Sequence, residues 1–218
     1  MNSATATVDL LDLLRDVPAP HPVLDHERER QLTDRQRDVL DRLVELFNEG
    51  FSHLTMADLA ARLNCSLRTL YGLAPSRDEL VLAVVDRNLW SVGRAARGAI
   101  HPDMAPLEAI RHYLEAANVA VAGTTEAFAR DLATLPAGQR LSDQHSDYLV
   151  AVTRRLLDLA VERGDIDDVD TAAVARVTAS LGRDLSRPDV FTTLRSTPKE
   201  AADAVLDLVL SGLTAHRA

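Results

Sequence analysis

The sequence holds one cysteine, Cys65, and a single lysine, Lys199. No intrachain disulfide can form, which suits a reducing cytoplasm, and that is the expected compartment. No apolar run approaches the ~18 residues of a membrane span, so no membrane partner is expected. Asp9, Asp12 and Asp16 stand among the leucines near the N-terminus, where a secretory signal would need a basic start and an apolar core. A glycine-rich phosphate loop, a Gly-x-Ser-x-Gly elbow and a His-Glu-x-x-His pair are all missing. Neither catalysis nor a cofactor is therefore expected. The formal net charge of −9 counts against sequence-independent nucleic-acid binding by the whole molecule, because backbone affinity comes from Lys and Arg near phosphates. It leaves room for a local DNA-reading face.

What the 218 residues do have is helical patterning, with 46% hydrophobic and 26% charged residues, enough for a sizeable core. Residues 1–31 read as a flexible N-terminal arm. Val8–Leu14 could form a short amphipathic helix, but Pro18, Pro20 and Pro22 break regular structure after it. Thr33-Asp34-Arg35-Gln36 has capping-box spacing and opens a helix carrying Val39, Leu40, Leu43, Val44 and Phe47, with Gly50 as its C′ residue. Thr55 starts a second, short helix with Leu59, Ala60 and Leu63 on its inner face, and Asn64 can end it in a left-handed conformation. Ser66 caps a third, which Pro75 stops. Ser76-Arg77-Asp78-Glu79 is a further capping box before a long helix.

The rest repeats apolar residues at three and four. Pro136 and Gly138 mark a break, Gly164 ends a long helix, Asp170 caps the next, and Thr197-Pro198-Lys199-Glu200 opens the last. Strand-like alternation bounded by turns is absent. The expected fold is all-α: an N-terminal three-helix domain over residues 32–92 and a C-terminal helical bundle over residues 93–218.

Two helices of about seven residues joined by a turn of about three make a helix-turn-helix, in which the second helix enters the major groove. Short helices also occur in ordinary bundles. The motifs add to the geometry: Phe47-Asn48-Glu49-Gly50-Phe51, Thr55-Met56-Ala57-Asp58-Leu59-Ala60, Ser66-Leu67-Arg68-Thr69-Leu70-Tyr71 and Ser76-Arg77-Asp78-Glu79-Leu80. In this order and spacing they resemble the DNA-binding domain of the TetR/AcrR family of bacterial repressors. The resemblance covers residues 38–85.

The resemblance implies roles. Thr55 would cap its helix and offer a hydroxyl or backbone N–H to a phosphate. Ser66 would cap the recognition helix. Thr69 and Tyr71 would reach DNA from its exposed side. Arg77 would pair with a phosphate. Leu67 and Arg68 would read bases, Leu67 a thymine methyl and Arg68 a guanine. Two departures stand out: Asn64-Cys65 replaces Gly-Val, and Leu73-Ala74 replaces a polar-aromatic pair. Cys65 reads as a small packed side chain rather than a redox switch.

The resemblance also implies a homodimer on a palindromic operator, acting as a repressor released by a small-molecule effector. An activator of the same fold, or an all-helical ligand carrier or enzyme, are the alternatives. Candidate effector-pocket residues are Trp90, Tyr113, Phe128, His145 and Tyr148. Candidate dimer-interface residues are Val174, Val177 and Leu181 with Val205, Leu208 and Val209, and either Leu208 or Leu210 would face outward on the last helix. His112 and Glu115 lack a third metal ligand, and the acidic run Asp165–Asp170 lacks the Gly and Glu of a calcium loop. No metal site is expected.

Overall fold

Local capping chemistry starts most of the helices. In the computed structural model, which describes residues 9–23, 26–123 and 125–215, the Thr33 hydroxyl accepts from the Gln36 backbone N–H at 3.2 Å while the Gln36 side chain accepts from the Thr33 N–H at 2.9 Å. Thr125, Asp170 and Thr197 do the same work further on, accepting from Phe128, Ala173 and Glu200. Each cap satisfies a backbone donor that the first helical turn leaves open.

The helices are α1 (Leu10–Leu13), α2 (His26–Gln31), α3 (Asp34–Asn48), α4 (Met56–Arg62), α5 (Leu67–Leu73), α6 (Arg77–Gly98), α7 (Pro106–Ala122), α8 (Glu126–Ala133), α9 (Pro136–Arg163), α10 (Thr171–Leu185), α11 (Pro188–Phe191) and α12 (Pro198–Ala215). No strand occurs among the described residues, and the protein is all-α. Gly50 and Gly164 take φ of +99° and +70° and Asn64 takes +48°, so all three ends predicted from sequence stop their helices in the left-handed region.

Contacts divide the described residues into two compact units. The first comprises residues 20–91 and 123–144; the second comprises those up to 19, 92–122 and those from 145 on. In the first unit, α3, α4, α5 and the start of α6 enclose Leu40, Leu43, Phe47, Leu59, Leu70 and Leu80, all fully buried. Phe128, Leu132 and Leu135 from residues 123–144 pack against the same core. In the second unit, α7, α10 and α12 pack on one another. Ile110, Tyr113, Leu156, Ala160 and Leu206 lie in that unit's core.

Two expectations need correction. The arm foreseen over residues 1–31 is not loose where the structure describes it. Asp9 caps α1, accepting from the Leu11 N–H at 2.8 Å, and Leu10 and Leu14 are fully buried in the second unit's core. Two buried leucines contribute about 1.5–3 kcal/mol each, which offsets the ordering of a short segment. Residues 1–8 lie outside the described residues. The break foreseen at Pro136–Gly138 is instead the first turn of α9. Pro136 fits a helix start, and a Cβ on Gly138 would stand 2.5 Å from Leu132 Cδ1, which would have to shift.

Candidate DNA-binding site

The helix pair α4–α5 is held from beneath by arginines. The turn between the helices bends at Asn64, with the Cys65 N–H bonded to the Ala60 carbonyl at 3.0 Å. The carbonyls that follow α4 lack a helical partner and need donors. Arg42 Nη1 donates to the Leu63 carbonyl at 3.0 Å, and Arg35 Nη2 to the Asn64 carbonyl at 2.8 Å. Guanidinium groups at a helix C-terminus also complement its dipole. Sequence reasoning missed both contacts, because the partners lie 21 and 29 residues apart. Cys65 packs partly against the core. Burial raises its thiol pKa despite the nearby Arg35 and Arg42, so it stays protonated at neutral pH.

Leu70 and Leu73 anchor α5, with exposures of 0% and 1%. Leu73 and Ala74, which replace a polar-aromatic pair, both turn inward. Leu67, Arg68 and Tyr71 are exposed on the outer side. Ser66 caps α5, accepting from the Thr69 N–H at 3.1 Å, and its hydroxyl is bonded to the Thr69 hydroxyl at 2.9 Å. Thr69 is half-buried.

Arg68 stands apart from its neighbours. Residues 32–92 contain seven arginines. Arg35, Arg37, Arg62, Arg77 and Arg87 each have an acidic partner, and Arg42 has the Leu63 carbonyl. Arg68 makes no hydrogen bond or ion pair with any described residue. Its guanidinium therefore reaches solvent with all its donors open, on the exposed first turn of α5.

Two expected phosphate ligands are otherwise engaged. The Thr55 N–H and hydroxyl both donate to Asp58 Oδ2, at 2.9 and 2.6 Å, and these bonds hold the Asp58 carboxyl below its usual pKa. Arg77 donates through Nε and Nη2 to Asp78 Oδ1 at 2.9 and 2.6 Å, and through Nη1 to the Ser52 carbonyl at 2.9 Å. The adjacent carboxylate offsets part of the charge that a phosphate would seek.

One contact in this unit gave no sequence signal. The Asp131 carboxylate of α8 accepts the Phe51 and Ser52 backbone N–H groups at 2.5 and 2.7 Å, across about 80 positions. Burial alone would raise its pKa, but the Ser52 and Phe51 N–H groups and the Ser52 side chain outweigh burial and lower it. Thr125 donates to the Asn48 carbonyl at the foot of α3. Phe128, foreseen as a pocket residue, instead meets the Phe51 ring edge-on at 5.9 Å. Trp90 also falls in this first unit, half-buried. Tyr113, His145 and Tyr148 belong to the second.

A helix pair of this form, with a capped and outward-facing second helix, is a DNA-reading geometry. Residues 39–84 match the sequence model for bacterial regulatory proteins of the tetR family. Residues 39–84 thus form a tetR-family domain. Among solved structures, this regulator is similar to a tetR-family regulatory protein from Rhodococcus RHA1, with 24% identity and a TM-score of 0.64, over 84% of this chain and 98% of that one. It is similar to the TetR-family regulator PfmR from Thermus thermophilus, with 26% identity and a TM-score of 0.58, over 80% and 98%. A TetR transcription regulator from Haloarcula marismortui shares the fold at 15% identity, with a TM-score of 0.66 over 84% and 99%. No curated protein matches the chain. Transcription regulation through DNA binding is thus the regulator's business. Among the described residues, no helix is long and apolar enough to cross a membrane, and no group of three or more His, Cys, Asp or Glu is placed to hold a metal.

Proposed function

We propose that the regulator is a homodimeric repressor that binds a palindromic operator through two copies of α5 and is released by a small molecule held in its second unit. The observation that carries the DNA half of this reading is the open guanidinium of Arg68 among six partnered arginines. An unpartnered arginine on the first turn of a recognition helix suits bidentate bonding to guanine. Exposed Leu67 would touch a thymine methyl, and Tyr71, 52% exposed, would bring its phenol to the backbone. Ser66, Thr69 and Thr55 hold the helix ends in register. Arg77 contributes to phosphate binding once DNA draws it from Asp78.

Dimerisation is supported by an uncovered apolar face. Val177 on α10 and Leu208 on α12 are 55% and 73% exposed, while Val174, Leu181, Val205 and Val209 are half-buried beside them in sequence. Such a face on packed helices suits a two-fold pairing of identical surfaces. Of the two candidate outward leucines, Leu208 is the exposed one and Leu210 is buried, at 3%, which supports a pairing through Leu208.

The test is a titration against variants of the DNA flanking the regulator's own gene. Arg68→Ala should relax preference at one base position per half-site, at about 1–3 kcal/mol. Arg77→Ala should weaken all sequences evenly and by less, because Asp78 already occupies the guanidinium. Uniform weakening by Arg68→Ala with unchanged base preference would remove Arg68 as a reader.

A further inference from the structure

Among the described residues, the second unit's core holds hydrogen-bond donors without acceptors. Tyr113, on α7, is fully buried, and its hydroxyl has no partner among the described residues. Burial pushes this phenol's pKa far up, with the Tyr148 phenol adding to the shift and the Arg97 guanidinium opposing it. Tyr148 packs against the same cluster that buries Tyr113, and Tyr113 is a neutral donor at any physiological pH. Arg97, on α6, donates through Nη1 to the Tyr148 hydroxyl oxygen at 2.7 Å in a partly buried setting. It has no carboxylate partner among the described residues. The surrounding core is aliphatic, with Ala96, Ile100, Ile110, Leu114 and Val152 buried in the same cluster.

A guanidinium, a phenol that already accepts one bond, and a buried phenol with no acceptor form a set of donors facing no negative charge. Arginine is the residue suited to planar, two-oxygen acceptors. A buried donor without an acceptor is costly, so a group that supplies one is favoured. One cation calls for one negative charge, and the aliphatic surroundings call for an apolar body. We infer that Arg97, Tyr148 and Tyr113 form the recognition site for a monocarboxylate with an aliphatic or aromatic body. The inference rests on the effector-release reading above and names the chemical class of that effector.

The experiment titrates the full-length regulator by calorimetry with n-octanoate, octan-1-ol and octylammonium, and repeats each titration on operator-bound protein. Octanoate should bind at least tenfold more tightly than octan-1-ol, and octylammonium more weakly than either. Arg97→Gln should erase that tenfold preference while leaving octan-1-ol affinity unchanged. Tyr113→Phe should weaken octanoate several-fold without lowering the melting temperature of the unliganded protein, because it removes a hydroxyl that has no partner. This second variant decides the matter if Arg97→Gln does not fold. Equal binding of octanoate and octan-1-ol, or a preference that survives in both variants, overturns the site. If octanoate binds in an Arg97-dependent way yet operator affinity is unchanged, the site stands and effector release fails. If octanoate shows no preference while octan-1-ol lowers operator affinity, effector release stands and the carboxylate site fails.

Discussion

The two units differ in how some of their buried polar groups are met. In the DNA-reading unit, the Asp131 carboxylate takes two backbone N–H groups, and Asp86, only 2% exposed, accepts the Val23 N–H at 2.7 Å. In the second unit, Tyr113, Ser146 and Thr153 each bury a hydroxyl that meets no partner among the described residues. A satisfied polar network holds one geometry and resists change. Unmet donors and acceptors leave a core that gains when something else bonds to them. The first behaviour suits a surface that must present α5 in a fixed register. The second suits a region that has to respond.

The largest effect should come from outside both cores. Leu208→Glu places a charge at a site that is 73% exposed, so the monomer should fold with its helical content intact. If the α10–α12 face pairs two copies, light scattering should report monomers. Operator affinity should fall by on the order of 100-fold as the second recognition helix becomes an independent binder. Leu210→Glu is the contrasting variant: at 3% exposure it buries a charge within the monomer and should cost stability first. A Leu208→Glu protein that stays dimeric moves the interface elsewhere.

Next comes the carboxylate that ties α8 to the turn after α3. Asp131→Ala leaves two N–H groups at Phe51 and Ser52 without their acceptor, at a cost of about 2–4 kcal/mol at neutral pH. The pH dependence has a definite sign. Because the folded carboxyl titrates below its ordinary 3.8, its contribution is complete above that value and fades as pH falls toward the folded one. Denaturant melts of wild type and Asp131→Ala should therefore differ by a constant amount from pH 7 to 5 and converge below about pH 4. A gap that stays constant into strong acid would mean that the ion's bonds are not what the substitution removes.

These contacts also show what could be read from sequence and what could not. The caps at Thr33, Thr55, Ser66, Asp170 and Thr197 were legible because donor and acceptor lie within three residues. So were the left-handed ends at Gly50, Asn64 and Gly164. The roles of the arginines were not legible. Arg35 and Arg42 serve a turn more than 20 residues away, and Arg77 answers to the carboxylate beside it rather than to open solvent. A pattern of types marks where a DNA-facing arginine can sit, but only the packing tells that Arg68 is the one left open. Phe128 followed the same rule. An aromatic on a short helix fits either core, and the tie between Asp131 and the 51–52 turn puts it in the first.

The smallest effects give the sharpest contrast, because one kind of change should have opposite signs in the two units. Ser66→Ala removes a hydroxyl that accepts the Thr69 N–H at the start of α5. Loss of such a cap costs about 1 kcal/mol, and it should lower operator affinity as the helix frays. Thr153→Val, in the second unit, removes a hydroxyl on α9 that is fully buried and bonded to none of the described residues. A methyl of similar size fills the same space without an unmet polar atom, so the protein should become more stable by up to about 1 kcal/mol. Chemical melts of the two variants, followed by helical signal, read both signs in a single experiment. If Thr153→Val also destabilises, its hydroxyl has a partner, and the unmet polar character of the second core shrinks to Tyr113 and Ser146. If Ser66→Ala is neutral while Thr153→Val stabilises, α5 is held by Leu70 and Leu73 alone, and the cap only orients Thr69.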